Sequence, residues 1–332
     1  MSQLNKSSKI FLKCPKCKKT VHEDIFIEFK GICSNCEHKF SKLGSIMDFT
    51  SVSDEKMHYD EIYSDFKGKI KRNAKKEIDF SLLKSYWHSK LFPLRNFFLG
   101  KMGNLDNKNI LLLGNGDSDK ELFFLEKGAR LIFSDLSSQG LLNVKNAYNL
   151  SKYKNQIQFL AFDASDMPLI SNSIDIVYGY DFIHHINDLN PMMSEINRVL
   201  KVGGFCIFYD GAYSHLWQRL KLTLFKPIVL FTHKKHGISP EDLRVTFDKG
   251  GYTKNELCKL GKNNNFRKLN YIRKSLLSYI FNRGLPKIFG YNPKIKKLRE
   301  TIIPFLFKLD DKLSQIRFYR DSTIQLVFIL TK

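Results

Sequence analysis

Between residues 108 and 211 short apolar runs alternate with helical segments, and this alternation restricts the fold more than any other feature of the chain. The runs are ILLL (110–113), ARLIFS (129–134), QIQFLAF (156–162), IDIVYGY (174–180) and FCIFYD (205–210). They are apolar without alternation, as strands buried on both faces are, and the spacers are long enough for a helix. The pattern predicts a parallel sheet with helices on both faces, an α/β architecture. A helix is expected through Glu126 and another across 138–150. After 190 the helical signals are strongest: Asn190 suits the cap, Pro191 the first helical position, and Met192, Met193, Ile196, Val199 and Leu200 one apolar face. Gly203 and Gly204 are expected to end that helix.

The first strand-to-helix turn reads ILLLGNGDSDKELF (110–123). Gly114 and Gly116 permit a tight turn and close approach of a ligand. A dinucleotide fingerprint would continue to a third small residue, with the diphosphate on the helix N-terminus. Here Asp117 and Asp119 stand instead, and two carboxylates repel a diphosphate while tolerating a cationic sulfonium. The turn therefore argues against NAD and for a cofactor without phosphates. Asp135 closes the second strand, where a carboxylate can accept ribose hydroxyls, and Asp163 follows the third, within reach of an adenine amino group. Open α/β sheets bind ligands at these carboxyl ends.

Taken together, ILLLGNG, SDLS and FDASDMPLISNSIDIVYGYDFIHHINDLNPMMSEINRVLKVGGF resemble class I S-adenosylmethionine-dependent methyltransferases of the ubiquinone/menaquinone-biosynthesis type, over roughly 108–210. The resemblance implies a Rossmann-like sheet that binds S-adenosyl-L-methionine. Gly114, Asn115 and Gly116 would embrace its methionine moiety, Asp135 with Leu136 its ribose, and Asp163 with Ala164 its adenine. Tyr180 would lie along the cofactor. Leu112 stands where this family usually has an acid, and Ser118 replaces the third glycine. A hydroxyl acceptor would need a base, and His184, Asp181 and Tyr180 are the catalytic candidates, with His184 first because imidazole titrates near neutrality. Asp210, Tyr213 and His215 are equally placed to meet substrate.

Upstream, Cys14 and Cys17, then Cys33 and Cys36, form two CxxC pairs fifteen residues apart. That spacing suits a structural zinc ion held by four thiolates, with no position left for water, and so small a unit has too little core to fold alone. His22 and His38 are expected to be bystanders. The block resembles zinc ribbons fused to bacterial methyltransferases, some of them rRNA guanine methyltransferases, and the zinc subunit that partners tRNA and protein methyltransferases. The expected organisation is a zinc ribbon over 1–48, a helical linker or cap over 49–107, the cofactor-binding core over 108–211, and a substrate or lid region over 212–332. In that last region TKNEL (253–257) has capping-box spacing, NFRKLNYI (265–272) reads as a strand, and a final strand near 322–331 returns to the sheet.

The net charge of +21 fits either a solvated basic surface or attraction to an anionic partner, RNA or a membrane face. HLWQRLKLTLFKPIVLFTHKKH (215–236) is amphipathic and basic, consistent with peripheral membrane contact at the inner face or with a lid. The start of the chain lacks a secretory h-region, no transmembrane helix is expected, and the cysteine usage suits the cytoplasm. The reading at this stage is methylation of a small molecule or saccharide, lipid-linked acceptors included. An rRNA or tRNA base methyltransferase and a non-catalytic binding subunit remain as alternatives.

Overall fold

The computed structural model describes residues 10–21, 25, 31–44, 46–51, 53–65, 75–186, 188–211, 252–282, 293–323 and 325–332. Near the start, β1 (Leu12–Lys13) and β2 (Thr20–Val21) pair with each other. All other described strands join one nine-stranded sheet. They are β3 (Ser41–Leu43), β4 (Ile46–Asp48), β5 (Asn109–Leu113), β6 (Arg130–Asp135), β7 (Ile157–Ala161), β8 (Ile174–Tyr180), β9 (Leu200–Gly211), β10 (Lys268–Lys274) and β11 (Gln325–Thr331). Across the sheet the order is β10-β11-β9-β8-β5-β6-β7-β4-β3. The run from β4 to β9 is parallel, whereas β11 lies antiparallel between β9 and β10, and β3 antiparallel to β4.

Alternate residues of the central strands feed two cores, which explains the unbroken apolar runs. Leu111, Leu113, Ile132, Leu160 and Val177 face one side, where α6 (Leu189–Val199) and α7 (Lys254–Asn263) pack. Ile110, Leu112, Leu131, Phe133 and Tyr178 face the other, against α2 (Phe80–Trp87), α3 (Pro93–Met102), α4 (Phe123–Glu126) and α5 (Ser138–Ala147). There Trp87 is wedged between Phe124 and Tyr178 and donates its Nε1–H to Lys120 O at 2.8 Å, so its one polar atom is satisfied. Helix α1 (Asp54–Asp65) lies on α5, and α8 (Pro293–Leu313) and α9 (Arg317–Ser322) precede β11.

Several local expectations shift. The cap before α6 is Asp188, not Asn190: its Oδ1 accepts the Asn190 N–H at 2.9 Å, so the helix starts at Leu189 and Pro191 sits inside the first turn. Gly203 and Gly204 do not end α6. They lie within β9, where Gly203 takes a left-handed φ of 80° and the pairing with β8 shifts register between Ile174 and Ile176. The helix expected across 138–150 stops at Ala147, and the strand expected at 265–272 runs from Lys268 to Lys274. Thr253 and Glu256 form the capping box before α7. The amphipathic segment 215–236 lies outside the described residues.

The hairpin that follows the four cysteines is continuous with the sheet. β4 pairs in parallel with β7, and Phe49 N–H donates to Ala161 O at 2.8 Å. Leu12 bridges Leu169, and Ile10, Leu12 and Ile25 belong to the core beneath α6.

Candidate active site

At the carboxyl ends of β5 to β8 a cavity of about 400 Å³ opens, within the ~300–1,000 Å³ typical of small-ligand pockets. Gly114, Asp135, Leu136, Asp163 and Ala164 all line it, although they come from three separate loops. The turn after β5 folds as its glycines allow. Gly114 has φ 61°, and a Cβ there would collide with the Phe182 ring. Gly116 has φ 54°, and a Cβ there would strike the Tyr63 hydroxyl. Two of the chain's own side chains thus press on the turn. Asn115 is outside the lining: it is buried, and its side-chain amide braces the turn by donating to Ser118 O at 2.7 Å. Leu112 is fully buried in the core on the far side of the sheet.

Asp135 accepts the Gly116 N–H at 2.7 Å and the Ser137 N–H at 2.9 Å. Burial, with a contribution from nearby Asp60, pushes its carboxyl up to about 6 despite those two donors. Asp163 accepts both the N–H and the hydroxyl of Ser165 at 2.7 Å. The outer wall is α1, which supplies Glu55, Tyr59 and Tyr63. It is clamped down by Asp60, whose carboxylate accepts Ser137 Oγ–H at 2.5 Å and Gln139 N–H at 3.2 Å. Lys56 adds ion pairs to Asp48 at 3.2 Å and Asp60 at 3.1 Å, and reaches Ser138 Oγ at 3.2 Å. Sequence reasoning missed α1 as a wall of the site, because its charged residues look like an ordinary solvated face.

The loop after β8 carries a second group. Asp181 has φ 59°, an uncommon conformation for a residue with a side chain, and its N–H donates to Tyr209 O at 2.9 Å. His184 Nδ1 lies 3.0 and 3.1 Å from the two oxygens of buried Asp210, and 3.9 Å from Asp181 Oδ1. Of the catalytic candidates only Asp181 lines the large cavity; His185 lines it as well, and His184 does not. Tyr180 is stacked on Tyr209 at 4.3 Å and faces a smaller cavity of about 120 Å³, so the structure separates it from the residues around Asp135. Asp181 belongs to the walls of both cavities.

The four N-terminal cysteines converge. Cys14 and Cys36 sulfurs are 3.7 Å apart, as are those of Cys17 and Cys33, and all four lie within 4.8 Å of one another. A tetrahedron with metal–sulfur bonds of about 2.3 Å has edges of about 3.8 Å, so the spacing suits one tetrahedral ion. Desolvation opposes thiolate formation at Cys33, but the Asn35 and Cys36 N–H groups favour it, whereas burial and the neighbouring sulfurs push Cys14 up.

Residues 111–208 match the family described as methyltransferase domain. The ubiquinone/menaquinone biosynthesis C-methyltransferase UbiE of Rickettsia typhi is 33% identical over 120 residues, 33% of this chain and 46% of that protein. The malonyl-[acyl-carrier protein] O-methyltransferase of Legionella pneumophila is 27% identical over 135 residues, 41% of this chain and 42% of that protein. The chain thus spans less than half the length of these curated relatives. Among solved structures, geranyl diphosphate C-methyltransferase from Streptomyces coelicolor superposes with a TM-score of 0.51 at 13% identity, covering 85% of this chain and 99% of that chain, a likeness of fold. Within this chain, residues 111–208, which supply most of the lining of the large cavity, match a methyltransferase domain.

Proposed function

We propose that the protein transfers a methyl group from S-adenosylmethionine to a small molecule, and that the large cavity holds the methyl donor. The observation that supports this best is the cavity's charge. Glu55, Asp135, Asp163, Asp181 and Asp188 line it, and among the described residues neither Lys nor Arg does. Such a site suits a cationic sulfonium and disfavours a diphosphate. Asp135, held by two backbone N–H groups, retains lone pairs for ribose hydroxyls, and Asp163 stands ready for the adenine amino group. Leu136, Phe162, Ala164 and Phe182 supply the apolar walls, and Gly114 lets the backbone approach closely. Bound S-adenosylmethionine supplies an activated methyl group, so the protein's work is to align the acceptor and exclude water. Asp210 accepts from His184 Nδ1–H and so orients this ring beside the site. The four thiolates, in this reading, hold a structural zinc ion.

Calorimetric titration with S-adenosylmethionine and, separately, NAD tests the proposal. Binding of the first alone supports it. Absence of both would transfer the reading to a non-catalytic subunit.

A lipid-linked acceptor is favoured by α8. Lys294, Leu298, Thr301, Phe305, Lys308 and Lys312 recur at helical spacing along one stripe, with Leu298 and Phe305 exposed. Exposed Ile316 and Phe318 follow directly. Among the described residues no helix is long and apolar enough to cross a membrane, so contact would be peripheral. An RNA acceptor would show itself instead by binding that weakens steeply with salt.

A further inference from the structure

We propose that the smaller cavity is an anion site that takes a carboxylate or phosphate group of the methyl acceptor, with Arg95 as its anchor; the acceptor role rests on the methyltransferase reading above. Arg95 lies in the first turn of α3 and forms part of this cavity's wall. Its guanidinium is 3.7 Å from the centre of the Tyr86 ring and 4.1 Å from that of Phe92, so two aromatic faces hold it in place. Among the described residues no carboxylate pairs with it, and its buried Nε has no hydrogen-bond partner. Arg95 as a whole is only half-buried and lines the cavity, and its guanidinium fork matches the oxygens of a carboxylate or a phosphate.

A second feature points the same way. The cap position of α3 is Phe92, which offers no side-chain acceptor, so the positive end of this ten-residue helix lies at the cavity without a side-chain cap, although Pro93 has no N–H and the Arg95 N–H is bonded to Phe92 O at 3.0 Å. Ser275 and Tyr279 add hydroxyl-bearing residues to the wall. At about 120 Å³ the space admits the charged end of a molecule and not a whole cofactor.

The two cavities differ in charge and share Asp181. Among the described residues five carboxylates and no Lys or Arg surround the first, whereas the second sets the Arg95 cation beside the single carboxylate of Asp181. An acceptor anchored through its anion at Arg95 is therefore oriented with its other end towards the methyl donor, and the donor's sulfonium is kept out of the acceptor's place. Asp181, the one carboxylate among the described residues of the smaller cavity's wall, limits how tightly an anion is held.

Inorganic phosphate and malonate, each titrated calorimetrically into the full chain, test the assignment. At least one should bind saturably, and which one does so tells a phosphate acceptor from a carboxylate acceptor. Arg95→Gln should weaken that binding about tenfold or more, with S-adenosylmethionine affinity unchanged and Arg95→Lys intermediate. Asp181→Asn, which suits the left-handed backbone there, should tighten the anion severalfold. Saturable binding of neither anion, or equal binding by wild type and Arg95→Gln, would overturn the site, and so would weaker binding by Asp181→Asn. Anion binding in a protein that takes up no S-adenosylmethionine would overturn the acceptor role together with the methyltransferase reading.

Discussion

Asp135 shows how a side chain that ties two loops together can also face the proposed donor site. Its two oxygens already tie the glycine turn to the loop after β6, and burial holds its proton to about pH 6. A raised carboxyl keeps its proton where an ordinary aspartate has lost it, and only the ionised form accepts from two hydroxyls. Affinity for S-adenosylmethionine should therefore be flat above about pH 7 and fall by up to about tenfold per pH unit below about 6. Calorimetry across that range checks the slope. Asp135→Asn should flatten it and weaken binding by about ten- to a hundredfold; unchanged affinity would remove Asp135 from the site. Asp135 and Asp163 were legible because strand ends are readable from apolar runs. Tyr63 and Phe182 were not, since each acts through a neighbour remote in sequence: Tyr63 against Gly116 and Phe182 against Gly114.

Helix α1 is the element whose role depends most on tertiary contacts. Few of its residues are buried, and it is held to the cavity through Asp60 and Lys56. Asp60→Ala removes the acceptor for Ser137 Oγ–H and Gln139 N–H, and should loosen the wall by about 1–3 kcal/mol. The expected readout is faster dissociation of S-adenosylmethionine in stopped-flow fluorescence with the folded sheet intact by circular dichroism; an unchanged off-rate would show that α1 is no gate. The parallel strands were readable because covered strands need continuous apolar runs. Helix boundaries were less so. Asp188 and Asn190 are both good caps, and only the Asp188 side chain turns back onto a helix N–H. Gly203 adopts the left-handed conformation that ends many helices, but four residues beyond Val199, where a strand shifts its register. Local signals identify the conformation without saying which element it serves.

At the scale of the molecule, the cysteine-bearing segment and the sheet share a core, to which Ile10, Leu12 and Ile25 contribute beside Leu111 and Leu160. A four-thiolate zinc site contributes folding energy to the segment that holds it, so a strong chelator should release one zinc per chain and lower the melting temperature of the whole protein. A metal-free protein with an unshifted transition would refute the zinc assignment. The basic stripe of α8 should bring the protein to vesicles containing acidic phospholipid and not to neutral ones, with Phe305→Ser and Phe318→Ser reducing co-sedimentation severalfold. Equal binding to both vesicle types, or to neither, would count against a membrane-borne acceptor. The pairing of β4 with β7 has one further consequence. A chain trimmed to residues 108–332 would keep every strand of the predicted cofactor core, yet it would leave the backbone groups of β7 open beside apolar surface that Ile10, Leu12 and Met47 had covered. Such an edge invites pairing with other chains, so the cysteine-bearing segment acts as a guard against self-association, and light scattering should find the trimmed chain aggregated where the full chain is dispersed.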